Sequence, residues 1–168
     1  MEVIVLYPIQ NSTRNKLDIS GIWDFKTDPD WVGEAGGWAN GLEGARPMAV
    51  PGSWNEQYND LFGYFDLAWY VKETYIPKSW QGERVFIRVG SANYLGTVYV
   101  NGVRVGAHEG GHLPFAFEIN DYVKWDEANV IAISVDNVLK PDRVPSGNMP
   151  GSDMSMFMAT PKTTYDFY

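Results

Sequence analysis

Cysteine is absent from this 168-residue chain, and histidine occurs only twice. Without cysteine, disulfide bonds and thiolate zinc sites are excluded, and the redox compartment is left open. Basic residues are also few, since 13 Lys and Arg face 21 Asp and Glu and give a formal net charge of −8. A field of this sign repels phosphate backbones and anionic lipid, so nucleic acid and membranes are poor partners.

Long apolar runs and amphipathic helices are lacking as well. No run approaches the roughly 20 residues that a membrane-spanning helix needs. The first eight residues are briefly apolar, but they contain Glu2, lack a basic segment and end at Pro8. A secretory signal is therefore not expected, and the expected location is the cytoplasm.

Aromatic residues are plentiful, at 15% of the chain, and hydrophobic residues make up 45%. This composition is typical of a globular protein and not of a disordered one. A chain of this length forms one domain most simply, and such a domain buries roughly 70% of its unfolded surface.

The strongest local signal is a β-hairpin centred on Asn101-Gly102. An Asn-Gly pair accepts positive φ at both positions, which a two-residue type I′ turn requires. The residues that flank the pair are β-branched at alternating positions: Val98, Val100, Val103 and Val105.

Further strands are predicted at 17–26, 48–50, 67–76, 83–89, 113–119 and 129–135. Single helical turns are predicted at 78–81 and 119–123, with no amphipathic helix of useful length. Short strands separated by Gly, Pro and Asn turns predict an all-β jelly-roll sandwich of two antiparallel sheets. The predicted organisation is an N-terminal extension at 1–16, the sandwich at 17–137 and an irregular tail at 138–168.

Five sequence blocks, in a fixed order, resemble one enzyme family. They are SGIWDF at 20–25, VPGSWN at 50–55, the segment from WY to IP at 69–77, the hairpin segment at 100–115, and NVI with DN between 129 and 137. Together they resemble the N-terminal sugar-binding domain of glycoside hydrolase family 2, and within that family the β-glucuronidases most. The resemblance implies a galactose-binding-like jelly roll, followed in the family by an immunoglobulin-like domain and a (β/α)8 barrel.

The last four residues, 165–168, resemble the start of the family's DFxNYAGIxR segment. This resemblance implies that Asp166 hydrogen-bonds a hydroxyl of the terminal sugar. It also implies that both catalytic glutamates lie in the barrel, at the separation of about 5 Å that a retaining glycosidase needs. We therefore expect no catalytic residue in this chain, no cofactor and no activity of the chain alone. The implied partners are a β-glucuronide or related β-glycoside, the downstream domains and, in a homo-oligomer, further copies.

The segment from His108 to His112 matches the H-E-x-x-H zinc pattern, which works when a helix brings both histidines to one side. Here Gly110-Gly111 and the nearby Pro114 disfavour a helix. No third histidine is available. We expect a local turn at this position and no metal.

The chain offers indoles and carboxylates as further candidates for sugar contacts. Trp23 and Trp69 lie in strand patterns and are expected in the core, whereas Trp31 and Trp38 of the loop at 27–44 are candidates for exposed contacts. The carboxylates suggest no catalytic pair and are expected to be mainly solvated or to cap turns: Asp24, Asp28, Asp30, Glu34, Asp60, Asp66, Asp121, Asp126 and Glu127. The apolar segment 154–158 is a predicted docking strip for a neighbouring domain.

Two other functions remain open on the sequence. An autonomous carbohydrate-binding module would need an exposed aromatic strip and no dependence on a barrel. A purely structural domain would bind no ligand at all, since a fold does not settle a function.

Overall fold

A computed structural model describes residues 8–140 and 142–143, and this part of the chain folds into eight β-strands in two sheets. The strands are β1 (Gly21–Thr27), β2 (Arg46–Val50), β3 (Leu67–Ile76), β4 (Phe86–Val89), β5 (Leu95–Val100), β6 (Val103–Glu109), β7 (Phe115–Glu118) and β8 (Glu127–Asp136). The helices are short: α1 (Trp54–Gln57) and three 3₁₀ turns at Trp38–Asn40, Asn59–Leu61 and Lys78–Trp80. None of the described helices is long and apolar enough to cross a membrane.

All strand pairs are antiparallel. The larger sheet has the order β2-β1-β3-β8-β5-β6, and the smaller one pairs β4 with β7. The ten-residue ladder between β3 and β8 runs from Leu67 opposite Asp136 to Ile76 opposite Glu127 and forms the middle of the larger sheet. The prediction of an all-β jelly-roll sandwich of two antiparallel sheets is confirmed.

Two of the predicted strands begin later than expected. β4 begins at Phe86 instead of Glu83, because the amide of Val85 donates to the side-chain oxygen of Asn120 at 2.8 Å. β1 begins at Gly21 instead of Leu17, and Asp18 there accepts a hydrogen bond from the amide of Ser20 at 2.9 Å. The 3₁₀ turn at Lys78–Trp80 was predicted, and residues 120–122 form a turn.

The main core lies between the two sheets. Its aromatic members include Phe25, Trp54 and Tyr70, whose rings are in mutual contact with centroids 5.0 to 6.2 Å apart. The predicted inward faces of β4 and β7 are correct, since Ile87 and Phe115 are buried in this core. Aromatic and β-branched side chains that pack in this way supply most of the stability of a sandwich.

The outer face of the larger sheet carries a second buried cluster around Trp69, Val71 and Tyr99. The loop at 28–44 covers it, with Ala39 packed against the sheet. Because both faces of β3 are covered here, residues 67–71 are all buried and read as a continuous apolar run without alternation. This covered face is where the loop and the sheet enclose a cleft.

Candidate functional site

The loop that covers the outer face is folded around a buried carboxylate. Asp28 is 1% exposed and accepts three hydrogen bonds: from the amides of Val32 and Gly33, both at 2.8 Å, and from the indole Nε1 of Trp69 at 3.0 Å. A Cβ at Gly33 would lie 2.4 Å from that indole nitrogen, so only glycine fits. The charge-assisted bonds fix the loop directly on β3.

Trp31 stands at the top of this loop. Its backbone takes a positive φ of 56°, and its indole Nε1 donates to Asp66 Oδ1 at 2.8 Å. The side chain is nevertheless 53% exposed. Its edge is therefore held while a large part of its ring surface stays open to solvent.

Beneath Trp31 lies a cleft of about 370 Å³, which we call the outer-face cleft. The volume is within the roughly 300–1,000 Å³ of small-molecule sites. The loop contributes Trp31 and Glu34, and the floor and far wall come from four strands. The polar residues of these strands are Thr97 on β5, Arg104 on β6, and Ser134 and Asp136 on β8.

The buried Tyr99 links two charged residues of the cleft. Burial raises the pKa of the Tyr99 hydroxyl, and the charge and hydrogen bond of Glu34 raise it further. A hydrogen bond with Ser134 and the positive charge of Arg104 act in the opposite direction. Glu34 and Arg104 therefore lie close enough to one hydroxyl for both charges to act on it.

Asp136 closes the end of the cleft as part of a buried ion pair. Arg143 donates to Asp136 Oδ1 at 3.0 Å and to Oδ2, and each side chain is 5% exposed. Burial opposes ionisation of Asp136, but the hydrogen bonds from Arg143 and from the Val138 amide outweigh it and lower the pKa of that carboxyl. Arg143 also lies 3.4 Å from Glu109 on β6. The pair ties the chain that follows β8 to the end of that strand, and the contact with Glu109 ties it to the edge strand β6.

The expectations for the indoles are confirmed in three cases of four. Trp23 and Trp69 are 3% and 1% exposed, and Trp31 is exposed as expected. Trp38 corrects the expectation of an exposed contact, because it is half-buried, packs edge-on against Trp69 at 6.4 Å and has Lys26 Nζ over its ring at 4.3 Å.

The segment with the zinc-like pattern is a strand followed by a turn. His108 belongs to β6 and stacks on Phe115 with ring centroids 4.7 Å apart, while His112 lies in the turn. The helical geometry that the pattern needs is therefore not formed. Within residues 8–140 and 142–143, no cluster of three or more His, Cys, Asp or Glu is arranged to hold a metal ion.

Most of the carboxylates considered from the sequence are exposed, as expected, whereas Asp28 is buried and Asp66 is half-buried. Sequence reasoning also missed Arg104 and the pair of Asp136 with Arg143. For Asp28, the one available signal was its position directly after a strand and five residues before a glycine. Asp166 and the segment 154–158 lie outside the described residues, so their predicted roles stay predictions.

The motifs and this geometry agree with a comparison against protein families. The family described as glycosyl hydrolases family 2, sugar binding domain, matches residues 16–154. The chain belongs to this family. The match spans the whole sandwich, including the loop over the outer face and the Asp136–Arg143 pair.

Relatives of the family 2 domain are β-glucuronidases. The chain is 38% identical over 152 residues to that of Paenibacillus borealis and 35% identical over 159 residues to that of the dog, Canis lupus familiaris. It aligns over 89% and 86% of its length with 26% and 24% of theirs. It therefore spans about a quarter of these relatives.

Comparison with solved structures also finds β-glucuronidases, again over about a quarter of their chains. The Ruminococcus gnavus β-glucuronidase is similar with a TM-score of 0.82 and 34% identity, over 88% of this chain and 25% of that one. A structure of that enzyme in complex with D-glucuronic acid has a TM-score of 0.77 and 35% identity, over 80% of this chain and 24% of that one.

Proposed function

We propose that this family 2 domain serves as the N-terminal sugar-binding and scaffold domain of a β-glucuronidase-like enzyme that hydrolyses terminal β-glycosidic bonds with retention. The observation that carries the proposal is the identity of 38% to a β-glucuronidase over 89% of the chain. Because the chain matches only about a quarter of such enzymes, the chemistry is assigned to domains beyond the sandwich.

The buried carboxylates of the described chain support this division of roles. A general acid must hold a proton that it can give away, and its partner must lie at about 5 Å in a retaining enzyme. Asp28 is occupied by three N–H donors, and Arg143 lowers the pKa of Asp136 through its hydrogen bonds, so neither carboxyl is free to take part in proton transfer. Their hydrogen bonds organise the fold.

In this proposal Asp166 orients the substrate and transfers no proton. A carboxylate accepts hydrogen bonds from sugar hydroxyls, and bonds to a charged acceptor are stronger than those between neutral groups. Its contribution would then be to hold the terminal sugar in position for the barrel, in the cytoplasmic enzyme that the sequence predicts.

A hybrid enzyme tests the proposal, with residues 1–168 in place of the matching segment of the Paenibacillus borealis relative. We expect the hybrid to hydrolyse p-nitrophenyl β-D-glucuronide and the chain alone to give no turnover. Asp166→Asn should lower kcat/KM by roughly 10- to 100-fold, the effect of one charge-assisted hydrogen bond. Asp121→Asn, at an exposed carboxylate of the sandwich, is the matched control and should change nothing.

Equal activity of the Asp166→Asn and Asp121→Asn hybrids would remove the assigned role of Asp166. Turnover by the 168-residue chain alone would remove the proposal that catalysis lies outside it.

An autonomous carbohydrate-binding module is the second candidate, because Trp31 is exposed beside a cleft. Such a module needs an aromatic strip, and Trp31 is the one exposed indole among the seven in the chain. Sugar binding by the chain alone that is tighter than ~1 mM, or about −4 kcal/mol, would favour the module. The single indole favours the scaffold domain.

A further inference from the structure

We propose that the outer-face cleft binds one neutral pyranose sugar, with the ring stacked on Trp31 and its hydroxyls bound by Glu34 and Arg104. This site is separate from Asp166, and it rests on the proposed function, whose sugar-binding part it locates on this domain. All of its residues belong to the described sandwich and its loop, so the site requires no other domain.

The first argument is that the aromatic surface is already in place. Three hydrogen bonds to the buried Asp28 fix the loop, and a fourth from the Trp31 indole to Asp66 fixes the edge of the ring. A ring held in this way loses little conformational freedom when a ligand stacks on it. Pyranoses present apolar C–H faces that suit an indole surface.

The second argument is the polar lining opposite the indole. Glu34 accepts hydrogen bonds, Arg104 donates them, and Thr97 and Ser134 can do both. A sugar hydroxyl is itself a donor and an acceptor, so it can use both kinds of group at once. Arg104 is exposed and forms no ion pair within the part of the chain that the structure describes, which leaves its donors for a ligand.

The third argument concerns charge and decides against an acidic sugar. Asp136 is neutralised by Arg143, so Glu34 and Arg104 are left with a sum of zero. Asp66 adds a negative charge at the edge of Trp31, and the whole chain carries −8. A uronate would meet net repulsion, whereas a neutral ring with the same hydroxyls would not.

Titration of the 168-residue chain with methyl β-D-glucoside, methyl β-D-galactoside and the corresponding uronates tests this directly. The readouts are tryptophan fluorescence and the ¹H–¹⁵N signal of the Trp31 indole. We expect saturable binding of at least one neutral sugar, with a Kd of about 1–20 mM, as a single stacked ring with few hydrogen bonds allows. Its uronate should bind at least about threefold more weakly because of the repulsion.

Matched variants locate the site. Arg104→Gln should weaken binding of the neutral sugar by about tenfold, and Trp31→Ala should abolish saturable binding. Arg84→Gln, at an exposed arginine that pairs with Glu118 on the smaller sheet, should leave the affinity unchanged. Glu34→Gln should weaken binding of the neutral sugar. It should also reduce the preference for the neutral sugar over its uronate, because a charge that repels the uronate is removed.

Three results would overturn the inference: no saturable signal for either neutral sugar up to about 100 mM, tighter binding of a uronate, or equal effects of Arg104→Gln and Arg84→Gln. If Trp31→Ala fails to fold, the two arginine variants still decide. None of these results bears on the hybrid enzyme, whose readout is turnover and whose tested residue is Asp166.

Discussion

Two buried carboxylates, Asp28 and Asp136, hold the parts of this domain that lie outside the regular strands. Asp28 gathers three N–H donors and fixes the covering loop on Trp69. Asp136 accepts hydrogen bonds from the Arg143 guanidinium and the Val138 amide, and these bonds fix the chain after β8. A buried carboxylate is stable only when such donors surround it, so each of them depends on residues far along the chain or in a later segment.

At this scale we predict that Arg143→Met lowers the free energy of unfolding by about 3 kcal/mol at pH 7, because Asp136 stays buried without its partner. The loss should shrink as the pH falls. The pKa of Asp136 is lowered in the folded state, so its contribution is complete above the unfolded pKa of about 3.9 and disappears as pH falls through the lower folded value.

Urea unfolding at pH 7 and pH 3 measures both effects. Arg84→Met is the control, because the pair of Arg84 with Glu118 is exposed and should contribute little. Equal losses for the two variants at pH 7 would contradict the assigned importance of the buried pair.

At the scale of the elements, the turn between β5 and β6 is hydrogen-bonded to the start of β8. Asn101 and Gly102 have φ of 50° and 81°, as the predicted type I′ turn requires. The Asn101 side chain also donates to the Tyr122 carbonyl and to Asn129 Oδ1, both at 2.8 Å, and accepts from the Val130 amide at 3.0 Å. The turn residue thus also fastens the hairpin to the start of β8.

Asn101→Ala should therefore cost about 2–3 kcal/mol of stability, since it leaves the buried Asn129 without one partner and removes a residue that tolerates positive φ. Thermal or urea unfolding of this variant beside Asn59→Ala, at an exposed asparagine, gives the comparison. A cost for Asn101→Ala within 0.5 kcal/mol of the control would show that the turn is not fastened in this way.

Considered as a whole, the sandwich closes where a phenyl ring of one sheet meets a glycine of the other. A Cβ at Gly106 on β6 would lie 2.6 Å from the ring of Phe117 on β7, and one at Gly96 on β5 would lie 3.0 Å from Phe115. Interiors are packed too densely to absorb such an addition without a shift of the sheets. The two sheets can therefore approach this closely at this end because Gly96 and Gly106 have no side chains.

Gly106→Ala tests this closure and should destabilise the domain by about 2 kcal/mol, the cost of overpacking a filled core. Gly90→Ala is the matched control, since a Cβ there meets nothing within 4 Å and its backbone φ is ordinary. It should be neutral or slightly stabilising. If Gly106→Ala proves as mild as Gly90→Ala in urea unfolding, the smaller sheet can move away at little cost.

The strands and the hairpin could be predicted from the sequence because their signals are local. An Asn-Gly pair favours a tight turn through its own backbone preferences, and alternating β-branched residues fit a pleated, half-buried strand. The candidate site could be predicted only for Trp31, whose place in a long loop indicated exposure. The four-residue helix α1 was missed; it is capped by Ser53 and held to the next turn by a hydrogen bond from Asn55 Nδ2 to the Leu61 carbonyl at 2.6 Å.

Sequence alone determined that this chain is a β-sandwich of family 2 type, since composition, turn residues and ordered motifs all act within short windows. Only the tertiary structure decided which charges are buried and which residues share a cleft. Trp31, Arg104 and Ser134 come from three elements more than 25 residues apart, and the loop over Asp28 and the ladders around β8 bring them together. Burial and charge pairing depend on what surrounds a side chain, and neighbours in sequence do not specify those surroundings.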